Sequence, residues 1–311
     1  MQTILGANGV ISKNLAQALA GHTSQIRLVS RSPRAVNRGD ELFAADLTDA
    51  AQTSAAVAGS EIAYLTVGLP YKTAVWQAQW PVVMRNVIDA CKQHQVKLVF
   101  FDNVYLYGPV SGPMTEETPI RPSSRKGAVR AQIAQMLLDE MRQGNIQALI
   151  ARAADFYGPD TPLSFVTSTV FVPFSQGKGA MWFVNDQVRH SFTYTPDAGK
   201  ATALLGNTPS AYGQSWHLPG APGPLTGREF IAQAAEAFGV PARHQTLAKW
   251  MIRMAGLFDP IVRESVEMLY QSEAEYLFDS SKFGRAFPDF QVTSYAAGIR
   301  TTAEWYRKAG G

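Results

Sequence analysis

An α/β fold, built on a doubly wound parallel sheet and followed by a smaller C-terminal lobe, is predicted from three observations on this 311-residue chain. Short apolar runs of strand character alternate with helical patterns through the first half. A glycine turn follows the first such run. Beyond about residue 160 the alternation breaks. Taken in order, QTILGA reads as a strand and residues 12–20 as a helix; QIRLVS is a strand; ELFAAD is a strand followed by a helix over 50–58. EIAYLTV precedes a helix over 77–94, VKLVFFD is the next strand, and IQALIARAA a later one. This βαβ order makes the sheet parallel, and right-handed crossovers put the strand C-terminal ends, and so a ligand crevice, along one edge. The later part holds a loop-rich stretch over 160–190, helices near 226–238 and 245–256, and a C-terminal helix ending AGIRTTAEWYRKAGG. Residues 1–160 are expected to form the sheet domain. Residues 161–311 are expected to form mainly a substrate lobe that caps the crevice, with some segments returning to the first domain.

Composition narrows the classes of function. With 46% hydrophobic and 17% charged residues the chain can bury a large core. It has no apolar run of about 18 residues, and MQTILGANG runs directly into a strand, so a cytoplasmic, soluble protein is expected. The single cysteine, Cys91, excludes an intrachain disulfide and a multi-thiolate metal site, and reads as a buried helix residue. A formal net charge of +3 with 28 scattered basic residues suggests neither nucleic acid nor an anionic membrane as partner. A small molecule is the expected partner, and an oligomer is open. The five histidines have no metal-ligand spacing, and no G-x-S-x-G or P-loop pattern occurs, so no metal is expected.

The turn Gly6-Ala-Asn8-Gly9-Val10-Ile11-Ser12 joins the first strand to the first helix, where dinucleotide-binding turns belong. Gly6 permits the tight turn, Gly9 lets backbone N–H groups approach a pyrophosphate, and the helix N-terminus adds its dipole. Ser12 stands where a third glycine is usual. The second strand ends Val29-Ser30-Arg31-Ser32-Pro33-Arg34 without the acid that would hold the ribose hydroxyl pair of NAD. Arg31 and Arg34 instead suit a 2′-phosphate, so NADP is expected over NAD, the alternative being that both are solvated loop residues. Asp46 and Leu47, after the third strand, would lie beside the adenine, with Asp46 as acceptor for its amino group.

Together GANGVIS, ADL at 45–47, Asn86 in VVMRNVIDA, YGP at 107–109, EETPIRP at 116–122, YGP at 157–159 and FTYTPDAGKA at 192–201 resemble the extended short-chain dehydrogenase/reductase family, which includes nucleotide-sugar epimerases and dehydratases. The resemblance spans nearly the whole chain and implies a Rossmann-type domain, a bound NAD(P) and a C-terminal substrate lobe. Its usual chemistry uses a Tyr-x-x-x-Lys pair and a Ser or Thr: the tyrosine moves the substrate hydroxyl proton, while the lysine lowers its pKa and holds the nicotinamide ribose.

In this chain all three positions differ. Lys126 stands at the tyrosine position, Arg130 at the lysine position, and Asn103 where the Ser or Thr would be. Arg130 cannot act as an acid or base near neutrality, but it can hold ribose hydroxyls or a phosphate. Lys126 could serve as acid or base only if its surroundings depressed its pKa. Asn103 can polarise a carbonyl through its amide donor. Tyr105, Tyr107 and Tyr157 lie near strand ends; Tyr105 is the candidate to replace the lost phenol, packing being the alternative for each. Asp155 stands where sugar-nucleotide members often carry Asn, and His190 where many carry an Arg for the diphosphate. A carboxylate there disfavours a nucleotide-sugar. A smaller or more apolar substrate fits Phe165, Phe171, Phe174, Trp182 and Phe183, unless that cluster is simply the lobe's core. Two functions follow: an NAD(P)-dependent oxidoreductase or epimerase/dehydratase-like enzyme using Asn103, Lys126 and Tyr105, or an NAD(P)-binding redox sensor without hydride transfer.

Overall fold

The structure, a computed structural model, describes residues 1–309, so the last two glycines of the expected C-terminal helix lie outside the described residues. The chain forms two compact units, one from residues 1–108, 120–153 and 198–218, the other from 109–119, 154–197 and the chain from Pro219 onward.

The first unit follows the expected alternation: β1 (Gln2–Leu5), α1 (Val10–Leu19), β2 (Ile26–Ser30), β3 (Glu41–Ala44), α2 (Ala50–Val57), β4 (Ile62–Leu65), α3 (Thr73–His94), β5 (Lys97–Asn103), α4 (Arg125–Arg142) and β6 (Ala148–Ala153). The sheet has seven strands in the order Ser215–His217, β6, β5, β4, β1, β2, β3, every pair parallel. The order reverses between β1 and β4, the switch point beside which ligands bind in open α/β sheets. β1 and β4 are buried along their whole length, as strands covered on both faces must be, whereas β3 at the edge is largely exposed. One core under the sheet joins Leu5, Leu65 and Phe100 to Trp80, Met84 and Val87 of α3. Cys91 on α3 is buried as expected, and desolvation pushes its thiol up to about 12.

Three details differ from the sequence expectation. The first helix starts at Val10 and the long one at Thr73, and each gains an N-terminal part the apolar periodicity did not mark. The three-residue strand Ser215–His217, too short to carry a period, completes the sheet beside β6. The helix expected near 245–256 is divided: His244–Leu247 pairs in parallel with Ala180–Phe183, and only Lys249–Ala255 is helical. There a ladder between distant segments overrides local helical spacing.

In the second unit Phe171, Phe174, Trp182, Phe192 and Phe230 form an aromatic core against helices Gly227–Phe238 and Tyr295–Ala309. Thr226 and Glu229 close a capping box that fixes where the first of those helices begins.

Candidate functional site

The phosphate turn is built around two residues with positive φ, Gly6 (101°) and Asn8 (81°). A Cβ on Gly6 would lie 2.5 Å from the Val67 Cα, so only glycine lets the turn leave β1 against the segment that follows β4. Gly6 and Ala7 donate their N–H groups to Val29 O at 2.9 and 2.8 Å. At Gly9, the N-cap of α1, no side chain caps the helix, and the first turn carries no acid. The N–H groups at Val10 and Ile11 are therefore not competed for by a side-chain oxygen, which is what an incoming phosphate needs. Ser12 is buried, with its Oγ donating to Gly9 O at 2.8 Å; its hydroxyl is satisfied inside the turn.

Asn8 points away from that opening. Its Nδ2 donates to Ser32 O at 2.8 Å and to Ser30 Oγ at 3.3 Å, while its Oδ1 accepts from Arg34 N at 3.0 Å. The side chain ties the phosphate turn to the loop bearing Arg31 and Arg34, both exposed. Asp46 Oδ1 accepts from the N–H and hydroxyl of Thr48 at 2.9 and 2.8 Å, and these bonds, with a smaller contribution from the Arg31 charge, hold its carboxyl below the usual carboxylate range. Leu47 is buried, and its carbonyl accepts from Asn86 Nδ2 at 3.0 Å, which fixes the loop after β3 against α3.

At the end of β5, Asn103 Oδ1 accepts from Tyr105 N at 3.1 Å. That bond orients the amide and leaves Nδ2 with no partner among the described residues. The Tyr105 ring stacks on Trp76 with centroids 6.4 Å apart and planes at 18°. Helix α4 starts at the Ser124 cap, whose Oγ accepts from Gly127 N at 3.0 Å. A Cβ on Gly127 would lie 2.5 Å from Tyr105 O, so glycine is what lets α4 rest on the turn carrying Tyr105.

Lys126 is fully buried: its Nζ donates to Thr73 Oγ1 at 3.0 Å and lies 4.6 Å from the centre of the Tyr71 ring. Arg130, one turn later, is 4% exposed. Its Nε donates to Asp102 Oδ1 at 2.8 Å, its Nη2 also engages Oδ1, and its Cζ lies 4.5 Å from the Trp80 ring centre. Nη1 alone of its three nitrogens has no hydrogen bond among the described residues. Asp102 is shared, since Oδ2 accepts from Arg152 Nε at 3.1 Å. Arg152 Nη1 reaches Tyr107 Oη at 3.3 Å, which in turn bonds His217 Nε2 at 2.9 Å. The cluster buries two guanidinium groups on one carboxylate, and Arg152 Nη2 is buried without a partner. It thus carries one formal positive charge in excess beneath α4.

In the second unit Asp155 and His190 meet, with His190 Nε2 2.8 Å from Asp155 Oδ2. The His190 ring, 2% exposed, stacks on Tyr276 at 4.3 Å and 15°. Trp182 is 2% exposed, and a Cβ on Gly227 would lie 2.3 Å from its ring; it belongs to the aromatic core with Phe165, Phe192 and Phe230. Tyr157 lies in that core as well, where burial pushes its phenol well above the usual range.

Sequence reasoning missed the partners: Tyr71 and Thr73 around Lys126, Asp102 and Arg152 around Arg130, and Tyr276 against His190. One signal was available, because Asp102 adjoins Asn103 in FDN and a buried acid at a strand end needs a cation. Among the described residues no cluster of His, Cys, Asp or Glu could hold a metal ion, and no helix is long and apolar enough to cross a membrane.

A glycine turn at the head of a parallel sheet, an open helix N-terminus behind it and polar groups at the ends of β2 and β5 define a dinucleotide-binding α/β protein of the Rossmann type. The model of the NAD dependent epimerase/dehydratase family matches residues 3–216, and the chain belongs to that family. Its fold is that of a dTDP-glucose 4,6-dehydratase double mutant from Streptomyces venezuelae solved with NAD and DAU bound, with TM-score 0.79, 18% identity and coverage of 99% of this chain and 97% of that one. The UDP-glucose 4-epimerase of Thermus thermophilus in complex with NAD gives TM-score 0.78 at 18% identity, covering 99% of this chain and all of the other. Among curated proteins, an uncharacterized UDP-glucose epimerase of Bacillus subtilis (strain 168) is 26% identical over 140 residues, a match spanning 44% of this chain and 44% of that relative.

Proposed function

We propose that this protein is an NADP-preferring oxidoreductase or epimerase/dehydratase-like enzyme that acts on a small non-nucleotide substrate. The observation that carries the reading is that Asn103, whose Nδ2 has no partner among the described residues, and the buried Lys126 stand at two of the three positions where the family keeps its catalytic groups. The Gly6 cradle and the uncapped start of α1 fit a pyrophosphate, and Arg130 Nη1 is left to hold a ribose hydroxyl. When bound, the nicotinamide supplies a hydride acceptor or donor. Asn103 donates to a carbonyl oxygen and so stabilises negative charge that develops there. Lys126, held by Thr73, adds a fixed cation in a site from which water is largely excluded, where charge acts over a lower dielectric than in solution. Tyr105, stacked on Trp76, is the phenol nearest Asn103 in the chain and the candidate proton carrier.

Arg31 and Arg34 support a preference for NADP, because Asn8 pins their loop to the phosphate turn and no acid stands at the end of β2 to repel a 2′-phosphate. Asp155, paired with His190, argues against a nucleotide-sugar diphosphate and for a smaller ligand with a hydrogen-bonding group of its own. A second reading, an NAD(P)-binding redox sensor, draws on the same departures: Lys126 and most of the Arg130 fork are already engaged by protein groups. Calorimetric titration with NADP, NAD and, in saturating cofactor, a panel of nucleotide-diphosphate sugars tests the assignment. Tighter binding of NADP and no sugar binding are expected; equal cofactor affinities, or micromolar binding of a sugar nucleotide, would overturn it.

A further inference from the structure

Residues 249–265 carry a surface that the proposed reaction does not use. Two short helices, Lys249–Ala255 and Pro260–Ser265, are joined by Gly256-Leu257-Phe258-Asp259. Trp250 (67% exposed), Met254 (52%), Leu257 (66%), Phe258 (86%) and Ile261 (73%) make up five of the eleven exposed large hydrophobic residues among those described, all within twelve positions. Trp250 and Met254, four apart, share one face of the first helix, and Leu257 and Phe258 in the joining turn continue the exposed apolar surface. The opposite side is anchored by Ile252, which is 4% exposed. An amphipathic element of a globular body normally turns its stripe inward; here the stripe faces out, and the joining turn carries it furthest into solvent.

The charges around the stripe select the partner. The guanidinium groups of Arg253 and Arg263 are exposed and form no ion pair or hydrogen bond among the described residues, whereas Glu264, the acid beside Arg263, is half-buried and has an interaction of its own. The acid of the turn, Asp259, is directed at its own helix, where it caps Ile261 N at 2.7 Å and Val262 N at 3.3 Å. Lys249 is paired with Glu273. A second copy presenting the same surface would offer these arginines no free carboxylate, since Asp259 is directed at its own helix and Glu264 is already engaged. An anionic bilayer meets every requirement at once: headgroup phosphates for the arginines, the headgroup boundary for the Trp250 indole, and the acyl region for Leu257, Phe258 and Ile261.

We infer that the 249–265 hairpin is a peripheral docking element for anionic membrane surfaces, inserting its Leu257-Phe258 turn while Arg253 and Arg263 engage lipid phosphates. The small net charge of the chain conceals this, because it averages over the molecule a pattern that is local. The test is co-sedimentation of the full chain with vesicles of phosphatidylcholine alone and with vesicles one-third phosphatidylserine. The wild type should bind the anionic vesicles at least tenfold more strongly than the neutral ones and release them as salt is raised. A Leu257→Ser/Phe258→Ser variant and an Arg253→Glu/Arg263→Glu variant should each lose at least tenfold. All four positions are exposed, so folding is preserved, and circular dichroism verifies it. Absence of wild-type binding, or binding that neither variant weakens, overturns the inference. So does a stable dimer in light scattering that the Phe258 variant dissociates, since the stripe would then belong to a second copy.

Discussion

Asp102→Asn and Arg130→Met remove opposite charges from one buried cluster, and their effects should differ in a definite order. Asp102 accepts from Arg130 and from Arg152, so its loss leaves two buried guanidinium groups facing a neutral amide. Breaking a buried ion pair in this way costs about 3–5 kcal/mol, and here both cations are stranded, which sets the expectation at the upper end. Arg130→Met has two opposing consequences. It removes two charge-assisted bonds to Oδ1 and the contact with Trp80, yet it also takes away the excess positive charge and leaves Asp102 and Arg152 as a balanced pair. Methionine retains much of the volume between Trp80 and Phe100. The net loss is then roughly 1–2 kcal/mol. For a body of 150–250 residues each kcal/mol moves Tm by roughly 2–4 °C. Thermal melts followed by circular dichroism should therefore separate the variants by several degrees, with Asp102→Asn the lower. Equal destabilisation, or the reverse order, would refute the argument that the cluster carries an uncompensated cation.

Three further outcomes are expected. Asn8→Ala should weaken NADP binding more than NAD binding, because it frees the Arg31 and Arg34 loop from the phosphate turn; cofactor titration of the variant reads this, and an equal loss for both would assign Asn8 to the turn alone. Gly127→Ala should destabilise the chain by about 1–3 kcal/mol, since its methyl meets Tyr105 O and the start of α4 must shift; denaturant midpoints measure it. Cys91 should resist thiol reagents until the chain unfolds. Its thiol holds a proton in both states below about pH 8.5, the usual value for a free thiol, and above it only the unfolded chain ionises. Stability should therefore decline between there and about pH 12, and a Cys91→Ala variant should show a shallower decline in pH-dependent melts.

The sheet and the glycine turn after its first strand were legible because their signals are local. An apolar run followed by a 3.6-residue period needs no distant partner to be read, and Gly6 declares itself where a strand must turn. The surroundings of the site were not local. Lys126 finds Thr73 across 53 positions, Asp102 finds Arg152 across 50, and His190 finds Asp155 across 35. No spacing rule joins residues on separate strands and helices that only the tertiary structure brings together. The aromatic segment containing Trp182 was open between substrate contact and core; in the structure Trp182 packs on Phe230 and Gly227, so its sequence pattern reflected the packing of the second unit. Exposure was equally hidden: the helix expected near 245–256 carried no sign of which side faces solvent, and in the structure Trp250 and Met254 are exposed while Ile252 is buried.

The proposed hydride chemistry is tested most directly at Lys126. Reduced nicotinamide formation, followed with a panel of small alcohols and carbonyl compounds, should be compared between the wild type and Lys126→Met, with cofactor affinity measured on the same preparations. Losing a fixed cation beside developing negative charge should lower turnover by about a hundredfold or more, while NADP affinity should change little because Nζ is already engaged by protein groups, Thr73 and Tyr71 among them. Unchanged turnover in Lys126→Met would contradict the role given to that cation, and a wild type that binds NADP tightly yet turns over nothing would contradict hydride chemistry itself.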